Sequence, residues 1–515
     1  MLTGDILRLS ARRHPSKTAL ICEDRRMSYG ELEAMCNRFA NAVLALGFAK
    51  GETVAVMCPN IIEYGIVHFG NARTGCQSVH LSITYGTDEL AHILNQTRAR
   101  LLVVDHVSQA SIEAVRDRLD YLERIVVVGE PEIADAVTFD QFLTHSADEP
   151  PDASISETDA LGMTFTGGTT GLPKGAVVSH RARYVSACAV VMEHEFAGED
   201  VVAVVTPLFH AVGLMIWFQA AVLAGCTCVL RPRWDPARFV EECARHRITA
   251  AFLVPVQLRD ILGDEYFDAD KLATLRKVGS GGAPVPGDMI SEGRDRLAGV
   301  RLVDHYGQSE TGPLTILKPW HPAEKNDSIG LPALGVDLKV VDAAGNEVAP
   351  GDIGEIIVAG EFMFEGYFEN PEETALYFRS DDGWGWTGDL ATVDEDGFIW
   401  LAGRSKDMIV SGGVNVYPRE VEIVLEDHEG VADCTVFGVP DETWGEALIA
   451  YVVLCADYSE TPETLIKYCG SRLARLKRPR ELVFVDEIPK TSAGKVQKPR
   501  LRDEYLARTS LEQVP

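Results

Sequence analysis

Thr164-Phe165-Thr166-Gly167-Gly168-Thr169-Thr170-Gly171-Leu172-Pro173-Lys174-Gly175 follows an apolar run that ends near Phe165, and the fold turns on this stretch. A buried strand that runs straight into a glycine-rich segment is a device of α/β proteins. Gly167, Gly168, Gly171 and Gly175 carry no Cβ, so backbone N–H groups can approach and wrap an anion. The hydroxyls of Thr166, Thr169 and Thr170 and the ammonium of Lys174 add donors. The ligand this suits is a polyphosphate. The stretch lacks the Gly-Lys-Ser/Thr ending of a Walker A loop. A flexible Gly/Thr turn is the plainer alternative, and the length and composition directly after a strand weigh against it.

Outward from this stretch, short apolar runs bounded by breakers alternate with helical periodicity. Thr53 to Cys58, Leu101 to Val104 and Ile125 to Val128 read as buried parallel strands, as do Val201 to Val205, Ala251 to Val254 and Arg301 to Val303. Ser28 and Glu31 fit a capping box that opens a helix with Leu32, Cys36, Phe39 and Val43 on one face. From about Gly335 the texture changes. Val336 to Val341, Gly354 to Val358 and Phe398 to Leu401 lie between Gly- and Asp-rich turns, which suits antiparallel structure. After Gly403-Arg404-Ser405-Lys406-Asp407 comes a small α/β unit. Pro418 opens a helix with Val421, Val424 and Leu425, and strands follow at Cys434 to Phe437, Ile449 to Leu454 and Leu482 to Val485.

The expected fold class is therefore α/β: a large N-terminal lobe of two α/β subdomains plus a β-rich subdomain, and a small, mobile α+β C-terminal lobe. The boundaries are residues 1–403, a hinge at 404–406, and 407–515.

Composition narrows the function classes. A formal charge of −29 (48 basic against 77 acidic residues) excludes a broad nucleic-acid footprint, and an anionic ligand would need local cations. The 11 cysteines form no C-x-x-C pair and read as reduced, buried thiols of a cytoplasmic protein, with no zinc-like spacing. Residues 1–20 lack the apolar core of a signal peptide. Ala211 to Leu230 runs without a charge and is long enough to cross a bilayer, but Gly213, Gln219, Gly225 and its strand-like end fit a buried helix followed by a strand. Gly383-Trp384-Gly385-Trp386-Thr387-Gly388 matches G-x-G-x-x-G formally, yet neither closes a strand nor opens a helix, so a dinucleotide site is rejected. No G-x-S-x-G elbow occurs.

The glycine-rich stretch resembles the phosphate loop of the adenylate-forming superfamily, which holds acyl-CoA synthetases, peptide-synthetase adenylation domains and luciferases. Further segments resemble that family's motifs in order. Gly279-Ser280-Gly281-Gly282-Ala283-Pro284 is similar to its adenine-binding stretch, and Tyr306-Gly307-Gln308-Ser309-Glu310-Thr311 to Y-G-x-T-E. Trp386-Thr387-Gly388-Asp389 is similar to T-G-D, Gly403 to Asp407 to the hinge, and Pro489-Lys490-Thr491-Ser492-Ala493-Gly494-Lys495 to P-K-T-x-x-G-K. Gly168 stands where many relatives have serine, and Ser309 where threonine is usual.

The resemblance implies a carboxylate–CoA ligase that uses ATP and Mg²⁺, with CoA as co-substrate. The small residues Ala211, Gly281 and Gly282 leave room for something bulky, so the expected acid is aromatic, cyclic or a medium- to long-chain fatty acid. Lys495 becomes the catalytic lysine, a cation where negative charge builds on phosphoryl oxygens. Glu310 becomes a metal ligand, since a hard carboxylate oxygen suits Mg²⁺. Gly281, Gly282, Ala283, Pro284, Tyr306, Gly307 and Ser309 hold the nucleotide. Asp389 accepts from a ribose diol, or alternatively caps a turn. Arg404 offers a planar fork of donors, or a surface ion pair. Lys406 is the hinge. Tyr184, His210, Ala211 and Val212 line the acid pocket, with Gly281 leaving room beside them. His210 is read equally well as a core histidine. Gly412, Gly413 and Trp444 approach CoA, although Trp444 also fits a core.

Lys490 receives no role. No carrier module follows Lys495 before Pro515, which favours CoA as the acceptor. A separate carrier protein, or a nucleotide-binding homologue without catalysis, are the alternatives. The expected partner is a small carboxylic acid, without nucleic acid or a membrane span, and a homodimer is left open.

Overall fold

The computed structural model describes residues 1–166, 173–380, 382–456, 458–490 and 496–512. The chain forms two compact units: residues 1–337 with 359–383, and residues 338–358 with 384–515.

The first unit is built on two sheets. In one, Thr53–Met57 lies between Gln77–His80 and Leu101–Asp105, all parallel, and Arg124–Val128 continues the order. Every residue of Thr53–Met57 and Leu101–Asp105 is buried, because helices cover both faces of such a sheet. That is why these strands read as continuous apolar runs. Ala160–Thr166 extends the sheet beyond Gln77–His80 in parallel. Lys174–Ser179 then returns antiparallel, with Gly175 opposite Phe165 and Lys174 opposite Thr166. Gly366–Tyr367 closes that edge against Ala176 and Val177.

The other sheet runs through Thr18–Cys22, Thr227–Leu230, Val201–Val204, Ala250–Leu253, Lys277–Gly281 and Arg301–Gln308 in parallel. Gly312–Leu317 folds back on Arg301–Gln308. The uncharged run after Ala211 is a buried helix followed by a strand. Val212–Phe218 takes π-helical turns, Gln219–Ala224 is α-helical, and Gly225 at φ +81° leads into Thr227–Leu230. No helix of the described residues is long and apolar enough to cross a membrane.

The second unit carries a four-stranded antiparallel sheet that includes Gly354–Ala359, Gly385–Val393 and Ile399–Arg404. It also carries a five-stranded sheet centred on Gly445–Leu454, which pairs antiparallel with Val431–Asp441 and parallel with Glu481–Phe484. Helix Pro418–Glu426 begins at its proline and buries Val421 and Leu425 against this sheet, in a core with Val436, Leu448 and Leu465. The formal G-x-G-x-x-G match falls at the start of strand Gly385–Val393, which agrees with its rejection.

All eleven cysteines are free, and nine of them are buried. Ser28 accepts from the Glu31 backbone while Glu31 accepts from the Ser28 backbone, which is the capping box expected for helix Tyr29–Ala45.

Candidate active site

Gly167, Gly168, Thr169, Thr170, Gly171 and Lys495 lie outside the described residues, and the Thr166 backbone ends the strand that leads to them. Lys174 opens the return strand. Its ammonium pairs with Glu373 at 2.6 Å and stands 5.9 Å from the centre of the Tyr367 ring. Tyr367 donates its phenol to Glu310 Oε1 at 2.7 Å. The Phe364 N–H donates to the Glu310 carbonyl at 2.7 Å, and the Phe368 N–H to the Gly175 carbonyl at 2.8 Å. The segment around Gly366–Tyr367 thus ties Glu310 to the strand that starts at Lys174. Glu310 is only 8% exposed, so it is not a solvated surface acid.

A carboxylate tethered through one oxygen is a chemically suitable anchor for Mg²⁺, which takes few protein ligands and keeps its waters. Among the described residues no group of three or more His, Cys, Asp or Glu is arranged to hold a metal ion. Glu310 is the sequence-predicted residue that could hold the ion.

Gly281 ends its strand opposite His305, and a Cβ there would lie 2.4 Å from the His305 carbonyl oxygen. No side chain fits, so the end of this strand carries none where Gly282 turns at φ +83° into Ala283 and Pro284. Tyr306 is half-buried on strand Arg301–Gln308, and Ser309 is half-buried after it. A Cβ on Gly307 would meet the Gly312 carbonyl oxygen at 2.0 Å, so the hairpin that presents Glu310 requires glycine there.

Behind Tyr306, His305 Nε2 and His194 Nε2 are 2.7 Å apart in a stacked, buried pair. One ring donates and the other accepts, so the accepting ring is neutral. Burial pushes the His305 pKa down to about 3 and lowers that of His194 as well. The neighbouring Asp304 carboxyl is pushed up to about 7 by burial. None of these three stands out in sequence, where a strand histidine looks like any core residue.

His210 is half-buried in the turn before the π-helical segment, with its ring 4.8 Å from that of Phe209. Ala211 is buried and Val212 half-buried at the start of that segment. Tyr184 lies half-buried on helix His180–Glu193, where burial, with Cys188 one turn on, raises its pKa.

In the second unit, Asp389 and Arg404 are cross-strand partners, and Arg404 Nε donates to Asp389 Oδ1 at 2.8 Å. Two residues assigned separately to the nucleotide are thus one ion pair. Thr387 accepts from the Asp389 N–H, and Glu355 from the Gly388 N–H, which fixes the turn. Lys406 is exposed in the single turn Ser405–Asp407. Gly412 donates its N–H to the Trp444 carbonyl at 2.8 Å, and Gly413 follows at φ +79°. The Arg480 guanidinium lies 4.3 Å over the Trp444 ring, so Trp444 is a stacking platform rather than core. Arg480 was not singled out from the sequence, because an arginine in a basic run carries no local mark.

The model of the family "AMP-binding enzyme" matches residues 7–368, and that of "AMP-binding enzyme C-terminal domain" matches residues 420–495. A feruloyl-CoA synthase of Amycolatopsis sp is 35% identical over 496 residues, covering 96% of this chain and 97% of that protein. An indoleacetate–CoA ligase of Aromatoleum aromaticum is 34% identical over 502 residues, covering 97% of each. Among solved structures, an anthranilate CoA ligase in complex with anthranoyl-AMP superposes with a TM-score of 0.90 at 28% identity, covering 99% of this chain and 98% of that one. A family model that spans residues 7–368 and relatives alignable over nearly the whole chain show that the chain belongs to the AMP-binding enzyme family.

Proposed function

We propose that this protein is an ATP-dependent carboxylate–CoA ligase for an aromatic, cyclic or medium- to long-chain acid. The observation that carries the reading is the Lys174–Tyr367–Glu310 cluster. It brings the end of the phosphate-loop stretch to a buried carboxylate suited to Mg²⁺. Relatives named as a feruloyl-CoA synthase and an indoleacetate–CoA ligase, alignable over nearly the whole chain, support an acid–thiol ligase acting on an aromatic acid.

In the first half-reaction a carboxylate oxygen attacks the α-phosphorus of ATP, and pyrophosphate leaves with the electrons of the broken P–O bond. Residues Thr166 to Gly171 and Lys174 hold the phosphates, and Lys495 stabilises the charge that grows on the phosphoryl oxygens. Bound to Glu310, Mg²⁺ would neutralise charge on the same oxygens. Gly281 to Pro284, Tyr306, Gly307 and Ser309 seat the adenine, and Asp389 and Arg404 the ribose and nearby oxygens. His210, Ala211, Val212 and Tyr184 border the acid. In the second half-reaction the CoA sulfur attacks the acyl carbon, AMP leaves, and the thiol proton passes to solvent. Gly412, Gly413 and Trp444 border the thiol path.

The division of labour rests on a large lobe of residues 1–403 and a small one of 407–515 that turns about 404–406 between the half-reactions. Closing twice on one pocket keeps water from the acyl-adenylate. Eleven free thiols support a reducing, cytoplasmic setting.

The test is acid-dependent pyrophosphate release across aliphatic and aromatic acids, with and without CoA. Lys495→Ala is expected to lose adenylation by several orders of magnitude, yet to make thioester from supplied acyl-AMP. No release with any acid refutes the enzyme reading. Release of AMP that ignores CoA points to a carrier protein as acceptor.

A further inference from the structure

Glu422, on helix Pro418–Glu426, is a carboxylate only 8% exposed that takes no part in the chemistry above. Its Oε1 accepts from the Val436 N–H at 2.9 Å, from the Thr435 hydroxyl at 3.4 Å and from the Lys498 ammonium at 2.7 Å. The Cys434 thiol donates to its carbonyl at 3.5 Å. The helix is thus bound to strand Val431–Asp441, and both are bound to a lysine 76 positions further on.

Lys498 opens helix Lys498–Glu512, whose Leu501 and Tyr505 pack with Ile488 and Val496 in one core. The same strand holds a second lysine. Lys490, given no role by the sequence, pairs with Asp433. Between the two lysines, the backbones of Lys490 and Val496 form an antiparallel bridge, and the Gln497 N–H donates to the Pro489 carbonyl at 3.0 Å. In sequence, Lys495 directly precedes Val496 and stands three residues before Lys498. Three residues of chain span at most about 10 Å, so whatever fixes Val496 and Lys498 limits where that backbone can go.

We propose that Glu422 and Lys498, aided by Asp433 and Lys490, are positioning residues that hold the chain on either side of Lys495 for adenylation. A buried ion pair adds little net stability, since desolvation offsets its attraction, and the half-exposed Lys490–Asp433 pair adds less still. What the pairs supply is direction: each fixes one ammonium at one point of the strand. They act through the lysine between them rather than on the reacting atoms. The inference rests on the carboxylate-ligase reading, in which Lys495 serves the first half-reaction and not the second. A shift of about 1 Å in a reacting group costs up to about 10²-fold in rate, so a loosened anchor lowers the first step and spares the second.

The experiment compares the full-length wild type with Lys498→Met, Lys498→Arg and Glu422→Gln. Three quantities are measured: acid-dependent pyrophosphate release, thioester formation from supplied acyl-AMP and CoA, and melting temperature. The acid is the member of the aliphatic and aromatic panel that the wild type turns over fastest. Lys498→Met is expected to lower kcat for pyrophosphate release about tenfold or more, with KM for ATP and thioester formation nearly unchanged. Lys498→Arg, which keeps the cation, should recover most of the loss. Glu422→Gln should move the ratio of the half-reactions the same way by about threefold, because an amide holds an ammonium less strongly than a carboxylate does. Equal losses in both half-reactions, with Lys498→Arg no better than Lys498→Met, make the pair a structural tie and overturn the proposal. So does wild-type pyrophosphate release by Lys498→Met. If Lys498→Met does not fold, Glu422→Gln carries the comparison, since its amide oxygen still accepts from the Val436 N–H. No release by the wild type with any acid refutes the ligase reading and this inference with it. An active wild type with an unmoved ratio in the variants refutes the positioning role alone.

Discussion

Glu310 depends on Tyr367, a partner 57 positions further on. The phenol fixes one carboxylate oxygen and so orients the other. Tyr367→Phe is expected to raise the Mg²⁺ concentration for half-maximal pyrophosphate release about tenfold, as loss of an orienting partner does at metal sites. Turnover at saturating Mg²⁺ should suffer less, and an unchanged Mg²⁺ profile would rule out the positioning role. The buried histidines set the acid limit of the fold. His68 and His180 are pushed down to about 4 and His305 to about 3, each by burial. In the unfolded chain these groups titrate near 6.5, so below that pH the unfolded state binds more protons. Stability is therefore lost as pH falls from 6.5 toward 4, at up to about 1.4 kcal/mol per pH unit for each histidine. Asp304, pushed up to about 7, has the opposite sign: it binds a proton in the fold but not in the unfolded chain between 3.8 and 7. Asp304→Asn should then steepen the acid loss, read as urea midpoints at pH 7.5 and 5. Motifs single out Glu310, Asp389, Arg404 and Lys174. Nothing local marks Tyr367, whose meaning comes from a carboxylate partner far along the chain.

At the scale of elements, the parallel strands were legible because burial on both faces leaves an unbroken apolar run. The antiparallel stretches after Gly335 were legible from their turns. The π-helical turns of Val212–Phe218 were not, since an all-apolar segment has no polar face to report its pitch. Nor was the strand Lys174–Ser179, whose first residue reads as the end of a glycine loop. The hairpin Arg301–Gln308 to Gly312–Leu317 is the element most exposed to a single methyl group. Gly307→Ala places a Cβ against a backbone oxygen and is expected to cost about 3 kcal/mol or more, with loss of adenylation. Gly198→Ala, whose Cβ would have ordinary contact at 3.8 Å from Ala224 O, should change the melting temperature little. Equal effects from the two substitutions would refute the steric account.

For the whole molecule, the family was legible because its motifs recur in order from Thr164 to Lys495, a pattern no single segment supplies. The acid was not, because pocket shape depends on side-chain directions that helices and strands set only once packed. The proposed joint at Lys406 belongs to this scale. Lys406→Pro, which limits the backbone of Ser405 and of the turn, is expected to lower both half-reactions severalfold. Loss of only one of them, with the other intact, would place the turning point elsewhere.

The first unit is completed by chain that is made late. By residue 358 every strand of its two sheets has been synthesised except Gly366–Tyr367. The segment 359–383 then supplies Phe362, whose carbonyl holds Arg183, Tyr367, whose phenol holds Glu310, and Glu373, whose carboxylate holds Lys174. A nascent chain halted just before that segment has its sheets but none of these three partners. Such a chain already contains residues 338–358 of the second unit, yet Glu310 and Lys174 still lack the side chains that tie them in place.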